Sequence, residues 1–424
     1  MRKTIIYHTL KERILFLLGG LPYWELKKEM HRLSTKKEPL WTKNFINITL
    51  MSLFIFLVFY ILLTALPLFI TEKLGTSADK AGWLLTVFLI FAIIVRPVAG
   101  GWISRFSQKK ILIYSTTAFF VACLLYFFVH SFAVLLVVRA IHGIIFGIIT
   151  TVKGAVSAEL IPMTRRAEGL SYYSMAMGLA MVLGPVIGLQ FASASSYNAM
   201  FVICAVLSVF NVLLAMIITI PGDNADKHAQ KGKFSFSNIV DPRTVPYAAM
   251  TFISAIAYSS ISAFLSLYAK ELDLVTAASY FFIVYAVCML LCRPFVGKAA
   301  DQYGPKYIVF SCLAIFAIGL FVLQMTTASW MLIVAGAIMG IGYGSITPIY
   351  QTEVMSSVPP ERVGVASSVF FNSMDLGMAV GAAVMGIIAG ASSYSTMYLT
   401  ACIIIVVAFF LYMYVSRKGR RYQQ

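Results

Sequence analysis

Asp375 is the clearest candidate for chemistry in this sequence, because it interrupts a long apolar stretch. It lies within Phe371–Gly377 and is the one acidic residue placed so far from a polar connector. Helical rise would put it about 18 Å from the end of its helix, near the middle of a ~30 Å hydrocarbon layer. A carboxyl group there is neutral against lipid and charged beside water or a cation, which suits proton coupling. The alternative is a protonated carboxyl that only donates a hydrogen bond between helices.

Arg139 and His142 form a second polar group within an apolar stretch. They are three residues apart and would share one face of a helix. A buried arginine is costly in lipid unless it meets a partner or water, so Arg139 should point into the protein. His142 titrates near neutrality and is a further candidate for proton exchange. The plainer interpretations are a bridge to helix carbonyls for Arg139 and a simple hydrogen-bonding role for His142.

Other polar and aromatic side chains within the apolar stretches are candidates for a substrate cavity, although each could equally serve packing. They are Tyr60, Tyr258, Tyr343, Tyr350, Gln351 and Asn372. The sequence lacks the nucleotide-binding pattern G-x-x-x-x-G-K-[ST], the zinc pattern H-E-x-x-H and a nucleophile elbow. We therefore predict that the protein is not an enzyme and uses neither a cofactor nor a metal.

Composition determines which elements must position these residues. The chain has 424 residues, 60% apolar and 12% charged, whereas soluble domains have about 45–50% and about 25%. A soluble fold could not bury so much apolar surface, which excludes soluble enzymes and disordered scaffolds. Twelve stretches of bilayer-spanning length lie at about 44–70, 79–103, 111–130, 132–156, 167–191, 197–220, 246–269, 276–299, 306–326, 329–354, 364–390 and 394–415. The fold class predicted is an all-α membrane protein with 12 transmembrane helices.

The basic residues are distributed unevenly between the two sides. The formal net charge is +16, from 33 Lys and Arg against 17 Asp and Glu. If both termini share one side, 26 of the 33 basic residues fall there, three lie on the other side and four lie within spans. Because basic loops stay in the cytoplasm, we predict a cell-membrane protein with cytoplasmic N- and C-termini. A nucleic-acid partner is not needed to explain the charge.

The longest polar connector divides the chain into two similar parts. We predict a basic N-terminal arm (1–43), a six-helix bundle (44–221), a central loop (222–245), a second six-helix bundle (246–415) and a basic tail (416–424). The arm and tail would be cytoplasmic, and the arm could bind anionic lipid. We expect a monomer.

The two bundles are related by an internal repeat with an offset of 197 residues. The motif R-P-x-x-G begins at Arg96 in the first bundle and at Arg293 in the second, and further glycines and prolines align at the same offset. An even number of spans gives both repeats the same orientation, about an axis along the membrane normal. Transporters of this design hold substrate between the halves and rock one against the other. We expect the two duplicated arginines to bind helix carbonyls or lipid phosphates.

These features resemble the major facilitator superfamily over nearly all of 44–415, and its 12-span bacterial drug or metabolite:proton antiporters in particular. The loop that begins at Gly100 resembles the family's G-x-x-x-D-R-x-G-R-R loop, with Ser104 in place of the usual Asp. The second copy keeps the acid, as Asp301. In the family this acid helps to latch the closed cytoplasmic side, so the resemblance implies a latch in the second half.

Two further motifs carry the resemblance. The segment from Arg139 to Gly143 is similar to the R-x-x-Q-G element of proton-coupled members, with His142 at the Gln position. Gly184-Pro185-x-x-Gly188 resembles the antiporter signature G-P-x-x-G, whose proline bends the helix and whose glycines allow close packing. The residues expected to gate the conformational change are Arg96, Pro97, Gly100, Ser104, Arg105, Lys109, Gly178, Gly184, Pro185, Gly188, Arg293, Gly297, Asp301 and Gly304.

The function predicted from these features is secondary active export of a small molecule, either a drug-like compound or a metabolite. Protons would be the exchanged partner, bound by Asp375 with help from Arg139 and His142, and the halves would rock within the lipid bilayer. One alternative is a proton-coupled importer of the same fold, which the Gly184-Pro185 motif disfavours. Another is an uncoupled, flippase-like or sensory membrane protein.

Overall fold

A computed structural model describes residues 39–103, 106–162, 165–220, 241–359 and 363–418. These residues contain twelve helices that are long and apolar enough to cross a membrane. They are α1 (Lys43–Glu72), α2 (Ala81–Ile103), α3 (Gln108–Leu125), α4 (Phe132–Leu160), α5 (Arg166–Ser193), α6 (Tyr197–Ile217), α7 (Val245–Glu271), α8 (Val275–Tyr303), α9 (Pro305–Gln324), α10 (Ser329–Ser356), α11 (Val363–Ala391) and α12 (Tyr394–Lys418). The predicted twelve-helix architecture is confirmed.

Within each half the connectors are short, and polar side chains cap the starts of α1, α3 and α4. Thr42 and Ser131 accept hydrogen bonds from backbone amides of the first turns of α1 and α4, over 3.2 and 3.3 Å. Gly304 joins α8 to α9 at φ 87°, a left-handed conformation that glycine adopts without strain. Successive helices therefore run antiparallel with little intervening chain.

Large apolar side chains on the outside of the bundle remain exposed, as lipid-facing residues would be. Ile94, Val98 and Phe295 are examples, with 63%, 50% and 74% of their surface accessible. By contrast, α1 and α7 are the most deeply buried of the described helices. The two helices that begin the halves therefore lie at the centre, and the other helices surround them.

We define the terminal face as the side of the bundle where α1 begins, and the opposite face as the side where α1 ends. The backbone amide of Thr219, just after α6, donates to Oδ1 of Asn44 over 3.0 Å. The first six helices thus return to the terminal face, and α7 starts there again. The sequence predicts that this face is cytoplasmic.

The internal repeat is visible as matched glycine contacts between helices. Gly143 of α4 packs on the backbone of Phe88 in α2, and Gly340 of α10 packs on the backbone of Tyr285 in α8. Both members of the second pair lie 197 residues after those of the first. A Cβ at either glycine would overlap a carbonyl of the neighbouring helix, so both halves use the same close crossing.

The predicted arm, central loop and tail fall wholly or largely outside the described residues. Within the described part of the chain, the first bundle corresponds to α1–α6 and the second to α7–α12. We refer to these as the N-half and the C-half.

Candidate functional site

Asp375 forms an ion pair that joins the two halves. Its Oδ2 lies 2.5 Å from Nη2 of Arg96 on α2, and the two side chains keep only 11% and 17% of their exposure. Nη1 of the same arginine donates to Oδ1 of Asn372 over 2.9 Å. Because Asn372 and Asp375 are three residues apart on α11, they present both acceptors on one face. We call this group the central ion pair.

Helix direction explains why these residues meet. Asp375 is twelve residues from the start of α11 and Arg96 is seven from the end of α2, which places their backbones about 18 and about 10 Å from the terminal face. Helical side chains point back toward the N-terminus of their helix. The long Arg96 side chain therefore extends away from the terminal face, to the depth of Asp375.

The expectation that Arg96 binds helix carbonyls or lipid phosphates is wrong, because its partners are Asp375 and Asn372. Duplication of the R-P-x-x-G motif suggested a role shared by both copies. The structure shows a different partner for each copy, since Arg293 contacts only the sulfur of Met289 among the hydrogen-bonding groups described, at 3.9 Å. The sequence could have predicted this pair from the positions of Arg96 and Asp375 along their helices, because the Arg96 side chain reaches the depth of Asp375.

Arg139 and His142 lie together inside the N-half, and the structure does not bring them into contact with Asp375. Nε of Arg139 donates to the carbonyl of Leu84 over 3.0 Å, and its guanidinium lies 4.1 Å from the ring centre of Phe88. The Tyr126 hydroxyl joins the two residues, 2.9 Å from Nδ1 of His142 and 3.4 Å from Nη1 of Arg139. This is the carbonyl-bridging arrangement considered for Arg139, and a role in proton coupling stays a prediction for both residues.

Four tyrosines surround the centre of the interface between the halves. They are Tyr60 of α1, Tyr258 of α7, Tyr285 of α8 and Tyr343 of α10, and we call them the central tyrosine cluster. The rings of Tyr258 and Tyr343 stack at 4.1 Å with an interplanar angle of 6°. The hydroxyls of Tyr60 and Tyr343 lie close enough to Asp375 for its charge to act on them. The structure thus brings two of the predicted cavity tyrosines, Tyr60 and Tyr343, near Asp375, and Tyr258 stacks on Tyr343.

Tyr285 is the member of this cluster that sequence reasoning missed. Its side chain is 3% exposed, and its hydroxyl has no hydrogen-bond partner among the described residues. It aligns with Phe88 at the repeat offset, so the extra hydroxyl in the second copy was the available signal.

Tyr350 and Gln351 lie nearer the terminal face than the rest of the predicted cavity. Tyr350 is 1% exposed, accepts a hydrogen bond from Ser254 over 3.4 Å and has the ring of Tyr412 at 6.4 Å. These contacts are within the C-half. Gln351 is half-buried beside it. A place in the substrate cavity stays a prediction for both.

The glycines of α5 position Tyr60. A Cβ added at Gly184 would overlap Cβ of Tyr60, and one at Gly188 would lie 2.8 Å from the carbonyl oxygen of Ile61. The G-P-x-x-G segment therefore brings α5 against α1 at the level of the cluster. Pro185 lies within the helix between these contacts.

Beyond the central ion pair, contacts toward the opposite face close the interface between the halves. Thr86 donates to the carbonyl of Ala379 over 2.6 Å, and a Cβ at Gly390 would lie 2.5 Å from Cβ of Asp79. At the rim, Nζ of Lys270 lies 2.7 Å from Oε1 of Glu72. The protein is therefore closed on the opposite face.

The loop motifs contribute less to the described structure. Ser104 and Arg105 lie outside the described residues, and the side chain of Asp301 does as well. Gly100 is exposed, with open space around a Cβ built there. The predicted latch in the second half therefore stays a prediction.

Comparison with known proteins identifies the fold family. A family profile for the Major Facilitator Superfamily matches residues 48–292 and 247–424. The chain belongs to the major facilitator superfamily. An uncharacterized MFS-type transporter of Methanocaldococcus jannaschii is 24% identical over 355 residues, covering 82% of this chain and 92% of the relative. The multidrug resistance protein MdtG of Dickeya zeae is 23% identical over 397 residues, covering 90% and 96%.

A solved structure supports the same fold. A mutant of the nucleoside transporter NupG superposes with a TM-score of 0.72 at 14% identity, covering 88% of this chain and 99% of that one. At this identity the likeness concerns the fold alone. The chain is thus a multi-pass membrane transporter of the major facilitator superfamily, and the family implies a small-molecule substrate.

Proposed function

We propose that this transporter exports a small drug-like compound or metabolite in exchange for protons. The observation that carries the proposal is the central ion pair, in which the carboxylate of Asp375 on one half binds Arg96 on the other. A proton that neutralises Asp375 removes the attraction between the halves at their point of contact. The protonation state of one side chain is thereby linked to the movement of the whole C-half.

The ion pair also explains how exchange would be enforced. In the empty, deprotonated protein the pair holds α2 against α11 and resists rocking. Protonation of Asp375 releases it, and a substrate that displaces Arg96 or Asp375 releases it in the same way. Proton and substrate then compete for one latch, so each crosses without the other and in the opposite direction.

Two further observations favour export. The glycines of α5 pack closely on α1 at Tyr60, in a segment that resembles the antiporter signature. In addition, several relatives are multidrug resistance proteins named MdtG. The sequence predicts 26 of the 33 basic residues on the side of the chain termini, which favours a cell-membrane protein with that side in the cytoplasm.

Proteoliposomes with an acidic lumen test the coupling. The internal pH is followed with trapped pyranine while norfloxacin or chloramphenicol is added outside. Exchange predicts that a transported compound accumulates as protons leave, and that dissipating the gradient stops accumulation. A proton-coupled importer would instead require an acidic exterior, and an uncoupled protein would ignore the gradient.

Two carboxyl variants make this test specific. Asp375→Asn should abolish the effect of the gradient on flux. Glu353→Gln is the matched control, because Glu353 is also in a C-half helix but accepts a hydrogen bond from Tyr412 within that half, over 2.7 Å. Concentrative, gradient-driven flux in the Asp375→Asn protein would refute coupling through Asp375. Loss of gradient dependence in both variants would show that the effect is not specific to the central ion pair.

A further inference from the structure

The internal repeat has an arginine in both halves, but the acidic residue that pairs with this arginine is present at only one of the two repeated positions. Arg293 is the repeat mate of Arg96, and the position 197 residues before Asp375 is Gly178. The structure brings these mates together, since a Cβ added at Gly178 would lie 3.9 and 4.0 Å from Nη2 and Nη1 of Arg293. One side of the interface between the halves therefore holds a paired arginine. The other side holds the corresponding arginine facing a glycine.

The guanidinium of Arg293 is short of partners. Among the described residues its one hydrogen bond is to Sδ of Met289 at 3.9 Å, and its buried Nε has none. A guanidinium presents five N–H donors in a planar fork that matches a carboxylate. Leaving such donors unpaired in a low-dielectric region is costly. Among the described residues Arg293 thus has no acidic partner, and its guanidinium lies beside Gly178.

A second polar group without a described partner lies about two turns before Arg293 on α8. The hydroxyl of Tyr285 belongs to a side chain that is 3% exposed, and it lacks a hydrogen-bond partner in the described part of the chain. It lies on the same helix as Arg293, eight residues earlier and about 12 Å along the helix axis, and the long Arg293 side chain extends back toward it. Both groups can donate, so they favour an acceptor, which the described part of the chain does not supply.

We infer that Arg293, with the Tyr285 hydroxyl on the same helix, binds the carboxylate of an aromatic or apolar monocarboxylate, and that this carboxylate takes the position beside Gly178 that the Asp375 carboxylate takes in the other half. The inference rests on the proposed function and specifies its substrate class. The ligand carboxylate would pair with Arg293 as Asp375 pairs with Arg96. Its aromatic body would lie against the central tyrosine cluster. A cationic compound would meet Arg293 as a like charge and be rejected.

Binding to the purified full-length protein tests this inference without a membrane gradient. The probes are 4-phenylbutyrate, 4-phenylbutylphosphonate, 4-phenylbutanol and 4-phenylbutylamine, which share one body and differ in the head group. Calorimetric titration at neutral pH should show that the carboxylate binds at least tenfold more tightly than the alcohol and the amine. Preferential binding of the phosphonate would overturn the carboxylate assignment, and equal binding of the amine would overturn the anion site.

Variants locate the site. Arg293→Gln should weaken 4-phenylbutyrate binding at least tenfold while leaving alcohol binding within about twofold. Gly178→Asp should weaken 4-phenylbutyrate binding in the same way, because the new carboxylate would pair with the guanidinium of Arg293 and block it. Lys270→Gln is the charge control, since it removes a cation from the rim of the same interface and should leave binding unchanged. Unaltered carboxylate binding in a folded Arg293→Gln protein refutes the inference, as does failure of the wild type to bind the carboxylate more tightly than the alcohol.

The outcome can be separated from that of the proposed function. Carboxylate-selective binding together with flux that ignores the proton gradient would retain the site and refute exchange. Gradient-driven flux of compounds without a carboxylate, in a protein that does not bind the carboxylate preferentially, would retain exchange and refute the carboxylate site.

Discussion

Breaking the central ion pair should open the opposite face of the transporter. Two unit charges about 4 Å apart attract by about 4 kcal/mol at an effective dielectric constant of ~20. Removing one partner of a buried pair costs about 3–5 kcal/mol, because the remaining charge is left uncompensated. Since Arg96 and Asp375 keep 17% and 11% of their exposure, we take the lower end, about 3 kcal/mol. That energy corresponds to about a hundredfold change in the equilibrium between closed and open protein.

A cysteine at position 86 can report this equilibrium. Thr86 is 4% exposed and binds Ala379 across the two halves on the opposite-face side of the ion pair. In a Thr86→Cys protein whose six native cysteines are replaced, a water-soluble maleimide should react only when that face opens. Asp375→Asn and Arg96→Gln should each accelerate labelling by up to about two orders of magnitude. Labelling of the parent protein should also rise with acidity, because protonation neutralises Asp375.

The double variant makes the reasoning refutable. Combining Arg96→Gln with Asp375→Asn leaves no uncompensated charge, so labelling should be slower than in either single variant. The Asp375→Asn protein should label at a rate that acid does not change. Additive effects of the two substitutions, or rates within about twofold of the parent, would show that the ion pair does not hold the face closed.

Two other contacts give further predictions, one of a large effect on folding and one of a small effect on labelling. Gly184→Ala should reduce the yield of folded, monodisperse protein on size-exclusion chromatography, because the added methyl overlaps α1 and overpacking costs about 1–3 kcal/mol or more; Gly100→Ala, with open space around it, should match the wild type. Lys270→Gln removes the rim ion pair with Glu72, whose side chains are 41% and 25% exposed. Such an exposed pair contributes about 0.2–1 kcal/mol, so labelling at position 86 should change by less than about fivefold.

The fold was almost fully predictable because it depends on patterns that extend over many residues. Twelve apolar runs and one repeat offset specify the helices and the two similar halves. Pairings between side chains depend on helix rotation and side-chain reach, which hydropathy does not encode. The partner of Asp375 therefore went unrecognised, although both residues of the pair had been singled out.

Arg139 shows a second limit of sequence reasoning. Its similarity to a proton-coupling motif and its burial suggested a role in the cavity, but burial does not specify which neighbours satisfy a charge. In the structure a backbone carbonyl, the face of Phe88 and the Tyr126 hydroxyl satisfy it within the N-half. Its repeat mate is Gly336, which packs on the backbone of Phe281, so this charge too distinguishes the halves.

Moving the aspartate from position 375 to its repeat mate at position 178 tests whether the unequal pairing of the two arginines produces the proposed proton coupling. In a protein carrying Asp375→Gly together with Gly178→Asp, the carboxylate would face Arg293, whose Nη atoms lie 3.9 and 4.0 Å from a Cβ at position 178. One ion pair would again join the halves, now between α5 and α8, and Arg96 would be unpaired. Acid-dependent labelling at position 86 should return in the double variant, although Asp375→Gly alone loses it. Binding of 4-phenylbutyrate should then require Arg96 rather than Arg293. A double variant that behaves like Asp375→Gly alone would show that coupling requires features of α2 and α11 beyond the paired charges.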